Sequence, residues 1–195
     1  MVERDFPHGG GSILAVKFAA CLTAFALTAV SPVSAQTSPP RPNIVYIVAD
    51  DLGWKDVGFH GSDIKTPNID KLAQSGARLE QFYVQPMCTP TRAALLTGRY
   101  PFRYGLQTAV IPTPSKYGLP TDERLLPQAL KEAGYSTVMV GKWHLGHSDR
   151  KYWPRQRGFD YQYGPMLGEI DYFTHSAHGK RDWFRNNQPV VEGAT

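Results

Sequence analysis

From Asn43 to Ala49 the chain runs Asn-Ile-Val-Tyr-Ile-Val-Ala, an almost unbroken series of β-branched and aromatic residues that stops at Asp50-Asp51. A run of this kind, without polar alternation, predicts a strand covered on both faces in a parallel sheet. Over residues 66–76 the period changes. Ile69, Leu72 and Ala73 fall on one face, Pro67 opens the run and Gly76 closes it, which predicts a packing helix. Leu79 to Val84 alternates and predicts a strand leading into Met87-Cys88. The pattern then turns helical again, with Pro90 in the first turn, Ala93 to Leu96 as strong helix formers and Gly98 as the stop. Residues 100–120 are rich in Pro, Gly, Tyr and Thr without a clean period and predict a long irregular loop. A further helix is expected over Leu125–Gly134 and an apolar strand over Ser136–Val140. Strand, helix, strand, helix, strand is the rhythm of an α/β fold, a mainly parallel sheet flanked by helices. After Gly164 no further strand-like apolar run occurs.

The N-terminal part carries a different pattern. Lys17, an apolar run from Phe18 to Val30 and the small-x-small sequence Val33-Ser34-Ala35 have the form of a signal peptide cut after Ala35. A membrane anchor would need about 20 apolar residues. This run is shorter and is broken by Thr23, Thr28 and Ser31, so no stable membrane insertion is expected after cleavage. The organisation read from the sequence is a signal peptide over 1–35, a Ser/Pro-rich tether over 36–42 and one catalytic-domain segment over 43–195. Export places the protein outside the cytoplasm, secreted or periplasmic, or lysosomal in a eukaryote. The chain has 195 residues, 42% of them hydrophobic and 12% aromatic, which is globular composition. Its net charge of +4 is mild, and its Lys and Arg are scattered and form no stripe for nucleic acid. Cleavage removes Cys21 and leaves Cys88 as the one cysteine, unable to close an internal disulfide. It is then free, modified or paired between chains.

Candidate chemistry gathers where elements end. Asp50-Asp51 puts two like charges at the carboxyl end of a strand, where α/β sheets hold ligands, and such a pair calls for a cation or for donors. Oxygen ligands favour Ca²⁺ or Mg²⁺ over zinc. Turn chemistry at a strand end is the plainer alternative. Cys88 stands at a helix N-terminus, where unpaired N–H groups favour a thiolate or an anion, and Arg92 lies one turn further on the same face. A buried structural cysteine beside a surface arginine is the ordinary reading of such a pair. Lys142 and His144 follow the strand ending at Val140, so that strand ends and a helix start open on one edge of the sheet. Taken singly, these would be a surface lysine and a hydrogen-bonded histidine. A thiolate is a soft ligand beside a hard ion, so an oxygen species at position 88 suits the carboxylate pair better. His175 and His178 read as solvent-facing loop histidines.

Cys88-Thr89-Pro90-Thr91-Arg92 running into Ala93-Ala94-Leu95-Leu96-Thr97-Gly98-Arg99 resembles the signature of the type I sulfatases, of the alkaline-phosphatase-like superfamily. Gly141-Lys142-Trp143-His144-Leu145-Gly146 resembles their second signature, and Arg157-Gly158-Phe159-Asp160 with Asp171-Tyr172-Phe173-Thr174-His175 is similar to the N-acetylgalactosamine-4-sulfatase (arylsulfatase B) branch. The resemblance implies a sulfuric ester hydrolase acting on sulfated carbohydrates or aryl sulfates. In the family a formylglycine-forming enzyme oxidises the cysteine, here Cys88, to formylglycine, whose hydrate is the nucleophile. It further implies Asp50, Asp51 and position 88 around a divalent cation, Arg92 at the hydrate, Lys142 at the sulfate and His144 at the formylglycine hydroxyl. The later Asp-Asn ligands, second histidine and second lysine of the family have no counterpart, so the likeness covers the N-terminal part of a sulfatase. A non-catalytic fragment or pseudoenzyme, and a phosphate or phosphonate ester hydrolase of the same superfamily, are the alternatives.

Overall fold

The computed structural model describes residues 41–191, so the signal-peptide segment and most of the tether lie outside the described residues. By contact the chain divides after Val48. Residues 41–48 form no strand, and their apolar side chains are open to solvent, Val45 at 83% and Ile47 at 82% exposure. The strand expected over 43–49 is therefore not formed. An apolar run states what a segment would bury, but a strand exists only through ladder hydrogen bonds to a neighbour. The same holds for Leu79–Val84, where Phe82 N–H donates to Leu79 O in a turn and the side chains are exposed.

The helices stand where the periodicity put them. Helix α1 spans Pro67–Ser75, α2 Cys88–Thr97 and α3 Leu126–Glu132. Gly98 ends α2 in the left-handed conformation, φ 66°, with its N–H on Ala94 O. α1 differs from expectation in its attachment. Leu72 and Ile69 remain exposed, and the helix is fastened by polar contacts: Asp70 Oδ1 accepts from Phe59 N–H at 3.0 Å and from the Thr66 hydroxyl at 2.9 Å.

Strands β1 (Val138–Val140) and β2 (Tyr161–Gly164) pair in parallel. Two short hairpins follow. The first joins β3 (Ser176–Ala177) to β4 (Lys180–Arg181), and the second joins β5 (Phe184–Arg185) to β6 (Gln188–Pro189). β5 lies antiparallel to β2, giving a four-stranded sheet in the order β1-β2-β5-β6. The sheet is thus mixed, with its parallel pair leading to the site. Each hairpin turns on two residues with positive φ, His178-Gly179 and Asn186-Asn187, the geometry that matches the twist of paired strands. The segment after Gly164, which carries no apolar run, forms strands because turn geometry and partners supply what composition does not.

The core gathers Ala93 of α2, Leu125, Trp143, Leu145 and Met166 with Leu106, Ile111 and Leu119. The last three belong to the expected irregular loop, which contains one 3₁₀ turn at Pro101–Tyr104 and otherwise packs without regular structure. Arg157 is buried at 2% exposure, and its guanidinium donates to three carbonyls, Leu119 O at 2.7 Å and Pro120 O and Glu123 O at 3.0 Å. Asp160 accepts from Lys131 Nζ of α3 and from Thr137 N–H ahead of β1. The Arg-Gly-Phe-Asp stretch is accordingly a fastening of β2 to α3, β1 and the 119–123 turn. Among the described residues no helix is long and apolar enough to cross a membrane.

Candidate active site

Beyond Val140 the parallel ladder continues without regular strand geometry. Gly141 N–H donates to Tyr163 O at 2.8 Å, Trp143 N–H to Pro165 O and His144 N–H to Met166 O, both at 3.0 Å. These three bonds fix residues 141–144. Trp143 enters the core, donating its indole N–H to Tyr152 O, and Lys142 lies outside it. At His144 the backbone takes φ 56°, an unusual conformation for a residue with a Cβ, and the ring is 7% exposed.

Three segments meet at Lys142. Its ammonium donates to Asp50 Oδ2 at 2.5 Å and to Cys88 Sγ at 3.2 Å. Arg92 closes the group from α2: Nη1 donates to the Lys142 carbonyl at 2.7 Å and Nη2 lies 3.5 Å from Asp50 Oδ2. Partial burial works to raise the Asp50 pKa, but the bonded Lys142 ammonium and the Arg92 charge outweigh it and hold the carboxyl below its usual range. Four of the sequence-predicted residues, Asp50, Cys88, Arg92 and Lys142, are thereby brought together.

His144 is close enough to feel the same charges. Burial, first, and then the Lys142 ammonium lower its pKa to about 4, with Arg92 adding to the effect, while a backbone hydrogen bond at Ile111 and the Asp50 carboxylate oppose it. The ring is neutral at physiological pH. Its Nδ1 is buried and has no partner among the described residues. Gly168 lies flat against the ring: a Cβ there would stand 2.4 Å from His144 Cε1. Pattern reading missed Gly168, because nothing in the sequence says which glycine faces a ring.

Thr89 is the other residue that the pattern did not show. Fully buried beside Cys88, its hydroxyl donates to His144 O at 2.8 Å and accepts from Ile111 N–H at 3.1 Å. One side chain thus ties the first turn of α2 to the 144 segment and to the loop before it. A threonine in a helix's first turn is too common to be noticed without the fold.

Asp51 is not drawn in. It is exposed, with φ 61°, and its carboxylate makes no hydrogen bond or ion pair among the described residues. No three His, Cys, Asp or Glu side chains among the described residues come together as a metal-binding group. Asp50 and Asp51 suit a hard divalent ion in kind, as charged oxygen donors, but fall short of the six to eight oxygens that Ca²⁺ takes. The nearby cations offset Asp50 instead. Position 88 fits an oxygen species well, since it adjoins an ammonium donor and the N-terminal N–H groups of a ten-residue helix. His175 is not solvent-facing as expected: it is half-buried, stacked on Trp183 at 4.4 Å between ring centroids. His178 is exposed at its hairpin turn, 3.7 Å from the Glu169 carboxylate.

Comparison with known proteins identifies the family. The family model described as Sulfatase matches residues 42–188. Arylsulfatase J of Mus musculus is 50% identical over 144 residues, covering 74% of this chain and 24% of that protein. N-acetylgalactosamine-6-sulfatase of Mus musculus is 43% identical over 159 residues, covering 75% of this chain and 30% of that protein. The crystal structure of Ps i-CgsB in complex with k-i-k-neocarrahexaose aligns with a TM-score of 0.68 at 40% identity, covering 75% of this chain and 36% of that one. The chain therefore spans less than a third of the length of these curated relatives. Their names differ in substrate, so the likeness does not single out the N-acetylgalactosamine-4-sulfatase branch.

Proposed function

The chain belongs to the sulfatase family and has part of its alkaline-phosphatase-like α/β fold, and on that premise we propose that the protein hydrolyses sulfate esters at the site centred on Cys88. The observation that carries this reading is the position of the Lys142 ammonium, in contact with both Cys88 Sγ and Asp50. Cys88 would be the residue converted to formylglycine, which supplies a hydrated aldehyde as an oxygen nucleophile. Asp50 and Asp51 would contribute oxygens to the divalent ion of the family, Ca²⁺ or Mg²⁺, which supplies positive charge at the sulfate oxygens.

The chain's own residues account for the remaining functions. Lys142 offers its N–H groups to an anion at position 88 or to a sulfuryl oxygen beside it, a fixed donor in a site partly shut off from water. Arg92 holds Lys142 in place through the Lys142 carbonyl and adds a second positive charge on the same side. His144, neutral at pH 7 and with an unpartnered Nδ1, can accept a proton or a hydrogen bond from a hydroxyl at the site. Thr89 sets the distance between the nucleophile's helix and the segment bearing Lys142 and His144.

We place the substrate among sulfated carbohydrates, supported by the saccharide bound to one structural neighbour and the sugar named for one relative. The signal-like sequence of residues 1–35 supports export. The test is sulfate release from a monosulfated sugar and from an aryl sulfate, by protein produced with a formylglycine-forming enzyme. The matched aryl phosphate serves as competitor, and peptide mass is read across residues 85–99. Sulfate release with a mass loss at Cys88 is expected. Faster cleavage of the phosphate would point to the phosphate or phosphonate ester hydrolases. An unmodified thiol without turnover would point to a protein that only binds.

A further inference from the structure

A cleft of about 390 Å³ lies beside the candidate active site and takes no part in the chemistry derived above. Two aromatic rings, Trp153 and Phe184, lie along it with their centroids 4.9 Å apart. The β3–β4 hairpin adds His178, Lys180 and Arg181. The hairpin is held in shape by its two-residue turn, with φ 50° at His178 and 75° at Gly179, and by the register Ala177 to Lys180. The charge in the cleft is predominantly positive. Lys180 is exposed, and its ammonium makes no ion pair or hydrogen bond among the described residues. Arg181 uses one Nη1 donor on Val190 O at 3.2 Å. One acid, Asp182, also lines the cleft; it is 6% exposed, accepts from Leu167 N–H at 2.7 Å, and does not pair with either cation.

The segment Met166–Gly168 joins this cleft to the reaction site. Met166 and Leu167 line the cleft, while Met166 O accepts from His144 N–H and Gly168 abuts the His144 ring. A ligand in the cleft is therefore one backbone segment away from a ligand at His144. Aromatic walls with donors of one charge sign suit a saccharide ring that carries an anionic substituent: the ring faces the aromatic carbons and the anion takes the cations. We propose that this cleft is a second subsite, which binds a further sulfate or carboxylate group on the sugar next to the one whose ester faces Cys88. This inference rests on the sulfatase reading and adds to it a preference for saccharides with at least two anionic groups.

Binding is the proper readout, because it does not depend on turnover. In Cys88→Ala protein, a disaccharide with one sulfate and its analogue with a second sulfate on the adjoining ring are titrated by calorimetry. The second sulfate is expected to tighten binding about tenfold or more, the range of a charge-assisted hydrogen bond. Lys180→Gln combined with Arg181→Gln should remove most of that gain. Lys180→Gln alone, at an exposed and unpaired side chain, should remove part of it even where the double variant folds poorly. Equal affinity for the two saccharides, or a gain that persists in the variants, would overturn the subsite. Sulfate release from the monosulfated sugar by the unsubstituted protein reports on the sulfatase reading separately, so failure of one is not mistaken for failure of the other.

Discussion

A single hydroxyl bridges two segments of the candidate site. Thr89 satisfies the His144 carbonyl and the Ile111 amide at once, both in buried surroundings. Thr89→Val keeps the shape and leaves both unmet, so we expect a loss of about 1–3 kcal/mol in urea unfolding. Turnover should fall with it, and Thr89→Ser should restore both. Undiminished turnover in Thr89→Val would show that the bridge does not position the nucleophile. His144 gives a pH signature. Its folded-state pKa, about 4, lies below its ordinary value of 6.5, so the fold favours the neutral ring. The stability this contributes is complete above pH 6.5 and is lost as pH falls toward 4, by roughly 3 kcal/mol at most. Below that the loss levels off. Asp50, whose pKa is lowered from 3.8, acts in a separate and more acidic window, as its contribution is lost only when pH drops below that value. Unfolding measured at pH 7.5 and 4.5 should show a larger drop for wild type than for His144→Asn. Equal drops would mean that the ring is not held neutral.

At the scale of elements, the helices were legible and the strands only partly so. Helix periodicity with Gly98 as a stop is a local property, and α2 formed as that pattern requires. Strand formation depends on partners, so the most strand-like run, 43–49, stays unpaired, while Tyr161–Gly164 pairs with β1 through contacts that no local pattern encodes. The hairpin turn Asn186-Asn187 did carry a sequence signal, since asparagine tolerates positive φ. Arg157 fastens these elements. Its burial lowers its pKa, but three carbonyl acceptors hold the charge in place. Arg157→Met should lower stability by about 3 kcal/mol or more, because the carbonyls lose their donors together. Arg157→Lys should recover less than half of that, since an ammonium lacks the planar fork. Thermal melts of the three proteins measure both effects, and a melt unchanged in Arg157→Met would show the clamp to be dispensable.

At the scale of the whole molecule, the site is an assembly of charges from distant parts of the chain: Asp50, α2 and the end of β1. A divalent ion drawn to Asp50 must compete with the Lys142 ammonium for the same carboxylate. Calorimetric titration with Ca²⁺ should show affinity reduced about tenfold or more in Asp51→Asn and raised in Lys142→Met, as expected when a charged ligand is lost or a competing charge is removed. Unchanged affinity in both variants would remove Asp50 and Asp51 from the cation's ligands. The sequence by itself determined the helices, the candidate residues and the family, because a twelve-residue signature and helical periods are local and survive without coordinates. Only the tertiary structure decided that Lys142 touches Cys88, that Asp51 faces solvent, that Thr89 and Gly168 lie against His144, and that His175 is half-buried against Trp183. Such placements are fixed by packing and by the pairing of buried polar groups, several of them between residues far apart in the chain, and no one-dimensional pattern records them.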